Sequence, residues 1–168
     1  MTPNSKTTGF TLLELLIVIL IIGVIISFAT LSIGDKRQQV LRQEIKQLAA
    51  LIQFTQQEAI FKNQDLAINF TENSYRFYLL SEDRQWQGLK KTPFRERKLA
   101  SGLVLELNIE DDPIQLATTE TTPQLLMLSS GEISPFSIYL WHETNESQRL
   151  VLTGNLLGEL EIKTEDEF

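Results

Sequence analysis

The sequence predicts an α+β protein, one long amino-terminal helix packed on an antiparallel β-sheet domain. Three observations carry this reading. The nineteen residues Leu15 to Ile33 contain no charge, and thirteen of them are Leu, Ile or Val. Helical periodicity then continues in a polar context, with Leu41, Ile45, Leu48, Ile52, Thr55 and Ala59 at spacings of 4, 3, 4, 3 and 4. That spacing makes one narrow stripe on one helix face. Beyond Lys62 the pattern switches to short alternating runs bounded by turn residues, as strands are.

The helix comes first. No proline interrupts Phe10 to Lys62, and the polar positions are filled by Gln, Lys, Arg and Glu, all good helix formers. One helix of roughly 80 Å follows at 1.5 Å per residue, locally weakened at Gly23 or Gly34. Its uncharged first half reaches the ~20 residues that a membrane span needs. Glu14 stands at the start of that run. A carboxylate in lipid is costly and is normally kept only with a partner. The second half lays its stripe against a sheet, and Lys62-Asn63-Gln64-Asp65 ends it.

The strands follow in order. Leu66 to Phe70 alternates, with Leu66, Ile68 and Phe70 on one face. Thr71-Glu72-Asn73-Ser74 is a turn, and Tyr75 to Leu80 returns, so the two runs make a hairpin. Residues 81–98 read as irregular, with Trp86 and Gly88 among mixed charges. Leu103 to Ile109 alternates again and ends at Glu110-Asp111-Asp112-Pro113. Thr118 to Pro123 is a polar loop, and Leu125 to Leu128 is a short apolar strand. The turn Ser129 to Pro135 leads into a strand over Phe136 to Trp141. Arg149 to Thr153 and Gly158 to Lys163 form the last pair, with turn chemistry at Gly154-Asn155. The acidic end, Thr164 to Phe168, is expected to fray. No internal repeat or low-complexity linker is present.

Composition excludes several functions. The chain has 168 residues, so about 135 remain after the apolar run, enough for one domain with a real core. It has no cysteine, which rules out disulfides, thiol catalysis and cysteine zinc sites. Net charge is −7 and the pI is about 4.8, which opposes non-specific nucleic-acid binding. The single histidine, His142, has no motif that brings a nucleophile or carboxylate to it. Ser129-Ser130-Gly131 is not a nucleophile elbow, and no phosphate loop, dinucleotide fingerprint or H-E-x-x-H is present. No catalytic residue and no cofactor is expected. The acidic runs Glu110-Asp111-Asp112 and Glu165-Asp166-Glu167 lack the ligand spacing of a calcium loop, and read as solvated faces.

Gly9-Phe10-Thr11-Leu12-Leu13-Glu14, after a short polar leader and before the uncharged run, resembles the type IV prepilin signal of pilins and of type II secretion pseudopilins. The resemblance implies a pilin-like fold. It also implies cleavage between Gly9 and Phe10 by a prepilin peptidase, N-methylation at Phe10, and pairing of Glu14 with the Phe10 ammonium of a neighbouring subunit. The physics agrees: in a low-dielectric setting an unpaired carboxylate and an unpaired ammonium each select for the other.

Three further segments narrow the resemblance. Leu126-Met127-Leu128-Ser129-Ser130-Gly131-Glu132-Ile133-Ser134-Pro135-Phe136, Gln57-Glu58-Ala59-Ile60 with Leu66-Ala67-Ile68-Asn69-Phe70, and Leu152-Thr153-Gly154 to Gly158-Glu159-Leu160 are similar to H-type minor pseudopilins. Ser130 departs from the pattern, which has a proline before the glycine. The resemblance divides the chain into a leader at 1–9, a transmembrane assembly helix at 10–33, an amphipathic continuation at 34–62 and a periplasmic β-rich domain at 63–168. It implies a single-pass protein of the bacterial inner membrane, with a cytoplasmic amino terminus. Its expected place is the tip of a pseudopilus that helps export folded proteins across the outer membrane. Expected partners are other minor and major pseudopilins, the prepilin peptidase, the inner-membrane assembly platform and membrane lipid.

Other readings stay open on the sequence. Lys6, the apolar run and Ser27-Phe28-Ala29 also fit a secretory signal cleaved after Ala29, though Glu14 and Gly9-Phe10-Thr11 are then unexplained. A plain membrane anchor is a third option, and Lys6 against Lys36, Arg37 and Arg42 leaves its orientation undecided. A minor pilin of a type IV pilus, for assembly initiation or DNA uptake, would share the first thirty residues. Its DNA-contacting stripe would be Lys90, Lys91, Arg95, Arg97 and Lys98, with Trp86 and Phe94 interleaved for stacking. Glu82, Asp83 and Glu96 interrupt that cluster, which favours a solvated loop.

Overall fold

The computed structural model describes residues 12–119 and 122–165, and for 26–35 the backbone alone. One helix, α1, runs from Leu12 to Lys62 without interruption at either glycine. It ends where expected. Asn63 takes a left-handed conformation (φ 50°), and the Gln64 amide donates to the Ala59 carbonyl at 3.0 Å, a capping pattern that satisfies a carbonyl of the last turn.

Among the described residues ten strands follow: β1 (Leu66–Phe70), β2 (Ser74–Leu80), β3 (Trp86–Gly88), β4 (Arg97–Lys98), β5 (Leu103–Ile109), β6 (Asp112–Ile114), β7 (Leu125–Met127), β8 (Phe136–His142), β9 (Asn145–Gly154) and β10 (Leu160–Glu165). They form two antiparallel sheets. One has the order β3-β2-β1-β7, with β4 also paired to β2, and the other β10-β9-β8-β5-β6. The first hairpin has the expected register, with Leu66 opposite Leu79 and Phe70 opposite Tyr75.

The chain divides into two compact units, one ending at Gln38 and one beginning at Gln39. In the second unit the predicted stripe is the helix's buried face. Leu41, Ile45, Leu48, Ile52 and Ala59 are each 3% exposed or less. They join one core with residues of both sheets, among them Ile68, Phe77, Leu107, Ile138 and Leu152. Thr55 on the same stripe is fully buried, and its hydroxyl donates to the Leu51 carbonyl at 2.6 Å. A chain of rings backs the first sheet: Phe70–Tyr75, Tyr75–Phe77, Phe77–Phe94 and Phe94–Phe54, with centroids 5.5–6.0 Å apart. Such pairs add about 0.5–1.5 kcal/mol beyond area burial.

Three expectations need correction. Glu110-Asp111 does not simply end β5. Both residues take positive φ (53° and 68°) and turn the chain into β6, with Ile109 opposite Asp112. This is the two-residue turn that usually requires Asn or Gly, and Pro113 fits because β6 is an edge strand. Residues 81–98 are not wholly irregular, since β3 and β4 both pair with β2. Finally, β1 does not alternate between core and solvent, because all five residues are buried. Asn69 there donates to the Thr122 carbonyl at 3.2 Å, and the Phe70 amide donates to Gln124 Oε1 at 2.8 Å.

Candidate functional site

The start of α1, from Leu12 to Ile25, is apolar on every side apart from Glu14. From Leu12 to Ile25, all large aliphatic side chains are 44–85% exposed. A surface helix buries one stripe and shows a polar face. One with no polar face needs an apolar surrounding, and a patch of this extent marks a membrane or protein contact. Glu14 is the only charged residue from Leu12 to Ile25. It sits in the first turn of the helix, where a carboxylate also complements the helix dipole. Gly9 and Phe10, the expected cleavage pair, lie outside the described residues. Among the described residues, no helix is long and apolar enough to cross a membrane. The side chains of residues 26–35, which include the end of the uncharged run, are not among them.

At the other end of α1 the three segments that narrowed the resemblance meet. Their junction is Gln56, which is 8% exposed. Its Nε2 donates to the Gly131 carbonyl at 2.7 Å and to the Leu157 carbonyl at 3.3 Å. One helix side chain thus ties the Ser-Ser-Gly-Glu turn before β8 to the turn between β9 and β10. The turns also bond each other, the Ile133 amide donating to the Leu156 carbonyl at 3.2 Å. Both glycines have structural reasons. Gly131 (φ 96°) has the Ile60 side chain 3.4 Å from where a Cβ would stand, and at Gly158 (φ 80°) a Cβ would overlap the Gln56 amide. The second turn is organised by Asn155. Its Oδ1 accepts from the amides of Leu157 and Glu159, each at 3.0 Å, and its Nδ2 donates to Glu159 Oε2 at 2.7 Å.

Sequence reasoning singled out Gln57, but the latch is its neighbour. Gln57 is exposed. Gln56 falls four residues after Ile52 and three before Ala59, on the edge of the buried stripe. That spacing was the available signal.

The basic cluster does not form the stacking surface that DNA capture needs. Phe94 is 8% exposed and belongs to the core. Glu96 pairs with Arg76 at 2.8 Å. Arg97 acts on the half-buried Glu44, drawing its pKa down while burial pushes it up, and burial is the larger effect. Since Glu44 binds its proton more readily when folded, its contribution to stability is present below its ordinary value of 4.5. That contribution is lost as pH rises through the elevated folded value. Glu44→Gln is therefore expected to raise the melting temperature at neutral pH and to bring no gain below that ordinary value. Parallel melts across pH check it.

His142 ends β8, where its Nδ1 accepts from the Thr144 amide at 3.2 Å and shares a 2.9 Å hydrogen bond with the Thr144 hydroxyl. It organises a turn. Among the described residues no group of three or more His, Cys, Asp or Glu is arranged to hold a metal ion. Glu110 and Asp111 instead line an open cleft of about 370 Å³ with Asn155, Glu159 and Glu161.

Comparison with known proteins agrees with this geometry. The family model for the type II transport protein GspH matches residues 44–158, and that for the prokaryotic N-terminal methylation motif matches residues 4–30. The type II secretion system protein H of Pseudomonas aeruginosa is 31% identical over 158 residues, covering 88% of this chain and 90% of that protein. The protein of the same name from Aeromonas hydrophila is 24% identical over 98% of this chain and 97% of its own length. The crystal structure of the minor pseudopilin EpsH from the type II secretion system of Vibrio cholerae superposes with a TM-score of 0.65 at 22% identity, over 77% of this chain and 97% of that one. The solution structure of Escherichia coli GspH gives 0.60 at 17% identity, over 75% and 89%. The methylation motif alone is common to pilins and pseudopilins. The match over 44–158, which takes in Gln56, Gly131 and Gly158, decides between them. The chain belongs to the GspH family of type II transport proteins, the H-type minor pseudopilins of type II secretion.

Proposed function

We propose that this chain joins the tip of a periplasmic pseudopilus, pushed from an assembly platform in the inner membrane, that helps drive folded proteins through an outer-membrane channel. The observation that carries the proposal is the apolar helix from Leu12 to Ile25, exposed on every side, with Glu14 in its first turn. A GspH-family chain with the methylation motif is anchored in the inner membrane and lies in the periplasm, and the family is structural rather than enzymatic.

At residue level the proposal has four parts. A prepilin peptidase cleaves between Gly9 and Phe10 on the cytoplasmic side and the new amine is methylated. Residues 10–33 hold the chain in lipid as a single pass with the amino terminus inside. Glu14 pairs with the Phe10 ammonium of a neighbouring pseudopilin as subunits assemble, since neither charge is tolerable alone in an apolar setting. The apolar helix then exchanges lipid for the filament core. The domain from residue 63 onward stands in the periplasm and presents the contacts that distinguish this subunit.

The amino-terminal mass of the chain extracted from membranes tests the processing step. The expected product begins at Phe10 and carries one methyl group. A chain beginning at Thr30 would make it a secreted soluble protein, and an uncut Met1 form beside an active peptidase would remove the filament reading. Gly9 replaced by a bulky residue is expected to accumulate as the uncut precursor, visible as the retained leader mass. Normal processing in that variant would overturn the assignment of the cleavage site.

A further inference from the structure

The turn between β9 and β10 holds two consecutive leucines in water. Leu156 is 52% exposed and Leu157 is 75% exposed. The turn does not need them. Its hydrogen bonds come from the Asn155 side chain and from backbone groups, and its reversal from Gly158. The Gln56 latch sets these leucines beside the last turn of α1, where Ile60 is 50% exposed and Phe61 85% exposed. It also sets them beside the Gly131 turn, which Leu128 enters at 38% exposure. A rigid, solvent-facing apolar surface of this kind marks a protein contact.

Next to it lies the acidic cleft. It shares Asn155, Glu159 and Leu160 with the same turn, and Glu110, Asp111 and Glu161 complete its charge. Lys163 offsets Glu161 at 2.8 Å, but neither lysine nor arginine lines the cleft itself. The Glu159 carboxylate is held in place by Asn155. An apolar surface and a negative recess therefore sit side by side on one hydrogen-bonded frame.

We propose that this face docks a neighbouring pseudopilin, through a segment that presents an aliphatic or aromatic side chain beside a lysine or arginine. The apolar group would cover Leu156, Leu157 and Ile60, and the cation would enter the cleft. The inference rests on the pseudopilin reading and assigns it a face. Charge selects the occupant. A second copy of this chain would bring its own net charge of −7, and an anionic lipid surface would be repelled by the same carboxylates.

The test uses the full chain in cells that make the secretion machinery, with the photocrosslinker p-benzoylphenylalanine at Leu157. Ile19 on the apolar helix and Gln87 on the exposed edge strand β3 serve as reference positions. The expected result is a Leu157 adduct to another pseudopilin, the joined peptide containing Lys or Arg, with little adduct at Gln87. Combining Glu159→Gln, which keeps an acceptor for Asn155, with Glu161→Lys is expected to cut that adduct about tenfold, while the Ile19 adducts and protease resistance are unchanged. Pseudopilin adducts at Ile19 with none at Leu157 would overturn the face and leave the pseudopilin reading standing. So would a Leu157 adduct to lipid, to an exported protein or to a second copy, or one indifferent to the charge changes. Loss of pseudopilin adducts at both positions would overturn the pseudopilin reading together with the face.

Discussion

Replacing Glu14 by valine is expected to leave cleavage between Gly9 and Phe10 intact and to abolish assembly. In the proposed processing step the peptidase reads the Gly9-Phe10 junction, and valine at position 14 would preserve the apolar character of the helix. The loss falls on the partner instead. A neighbour's Phe10 ammonium would enter an apolar setting with no carboxylate to meet it, and breaking such a pair costs about 3–5 kcal/mol. At 1.4 kcal/mol per tenfold, that is a drop of more than about a hundredfold in the assembly equilibrium. Co-purification with other pseudopilins and export of secreted protein should both fall to background, while the processed chain accumulates in the membrane. Unchanged co-purification would make the charge-pairing account wrong. A valine chain that also remained uncut would show that Glu14 acts in peptidase recognition instead.

Gly158→Ala is expected to be the most damaging single-methyl change in the β-rich domain. Two costs combine at this position. An alanine is strained at φ 80°, by about 1–3 kcal/mol. Its methyl group also lands on the Gln56 amide, which must move and give up its bonds to the Gly131 and Leu157 carbonyls. Each lost bond is worth about 0.5–1.5 kcal/mol. A total near 3 kcal/mol is about 10 °C of melting temperature for a domain of this size. Gln56→Ala supplies the control. Alone it loses the two hydrogen bonds. In its presence Gly158→Ala keeps the backbone strain but no longer meets the amide, so the two costs are expected to fall well short of additive. Thermal melts of the four chains in one detergent read the coupling, and strict additivity would show that the latch is not where the penalty arises. Because this junction also carries Leu156 and Leu157, the single variant should weaken the docking face as well as the fold.

Much of this architecture was legible because it follows from periodicity. The stripe Leu41-Ile45-Leu48-Ile52-Thr55-Ala59 is the buried face of α1, since one spacing rule puts those side chains on one side whatever they pack against. β1, β2, β5 and β8 were read within a residue or so of their observed ends, because alternation and turn residues are both local signals. What escaped was set from outside the segment concerned. β3 and β4 are too short to show a period and exist only as partners of β2. The turn at Glu110-Asp111 lacks the usual glycine or asparagine, and the pairing of β5 with β6 imposes its positive φ. Phe94 looked like an aromatic available for stacking within a basic run, and its burial became visible only with Phe54 and Phe77 on either side.

The sequence by itself determined the class of this protein. The order Gly9 to Glu14, the uncharged run and the stripe that follows are contiguous in the chain, and their meaning depends on spacing alone. The tertiary structure decided which distant segments meet. Gln56, Gly131 and Leu157 lie 75 and 101 residues apart along the chain as the hydrogen bonds count them, and only folding makes one junction of them. A glutamine within a helix has the same letter whether it faces water or reaches two carbonyls, because the difference lies in what the rest of the chain brings to it.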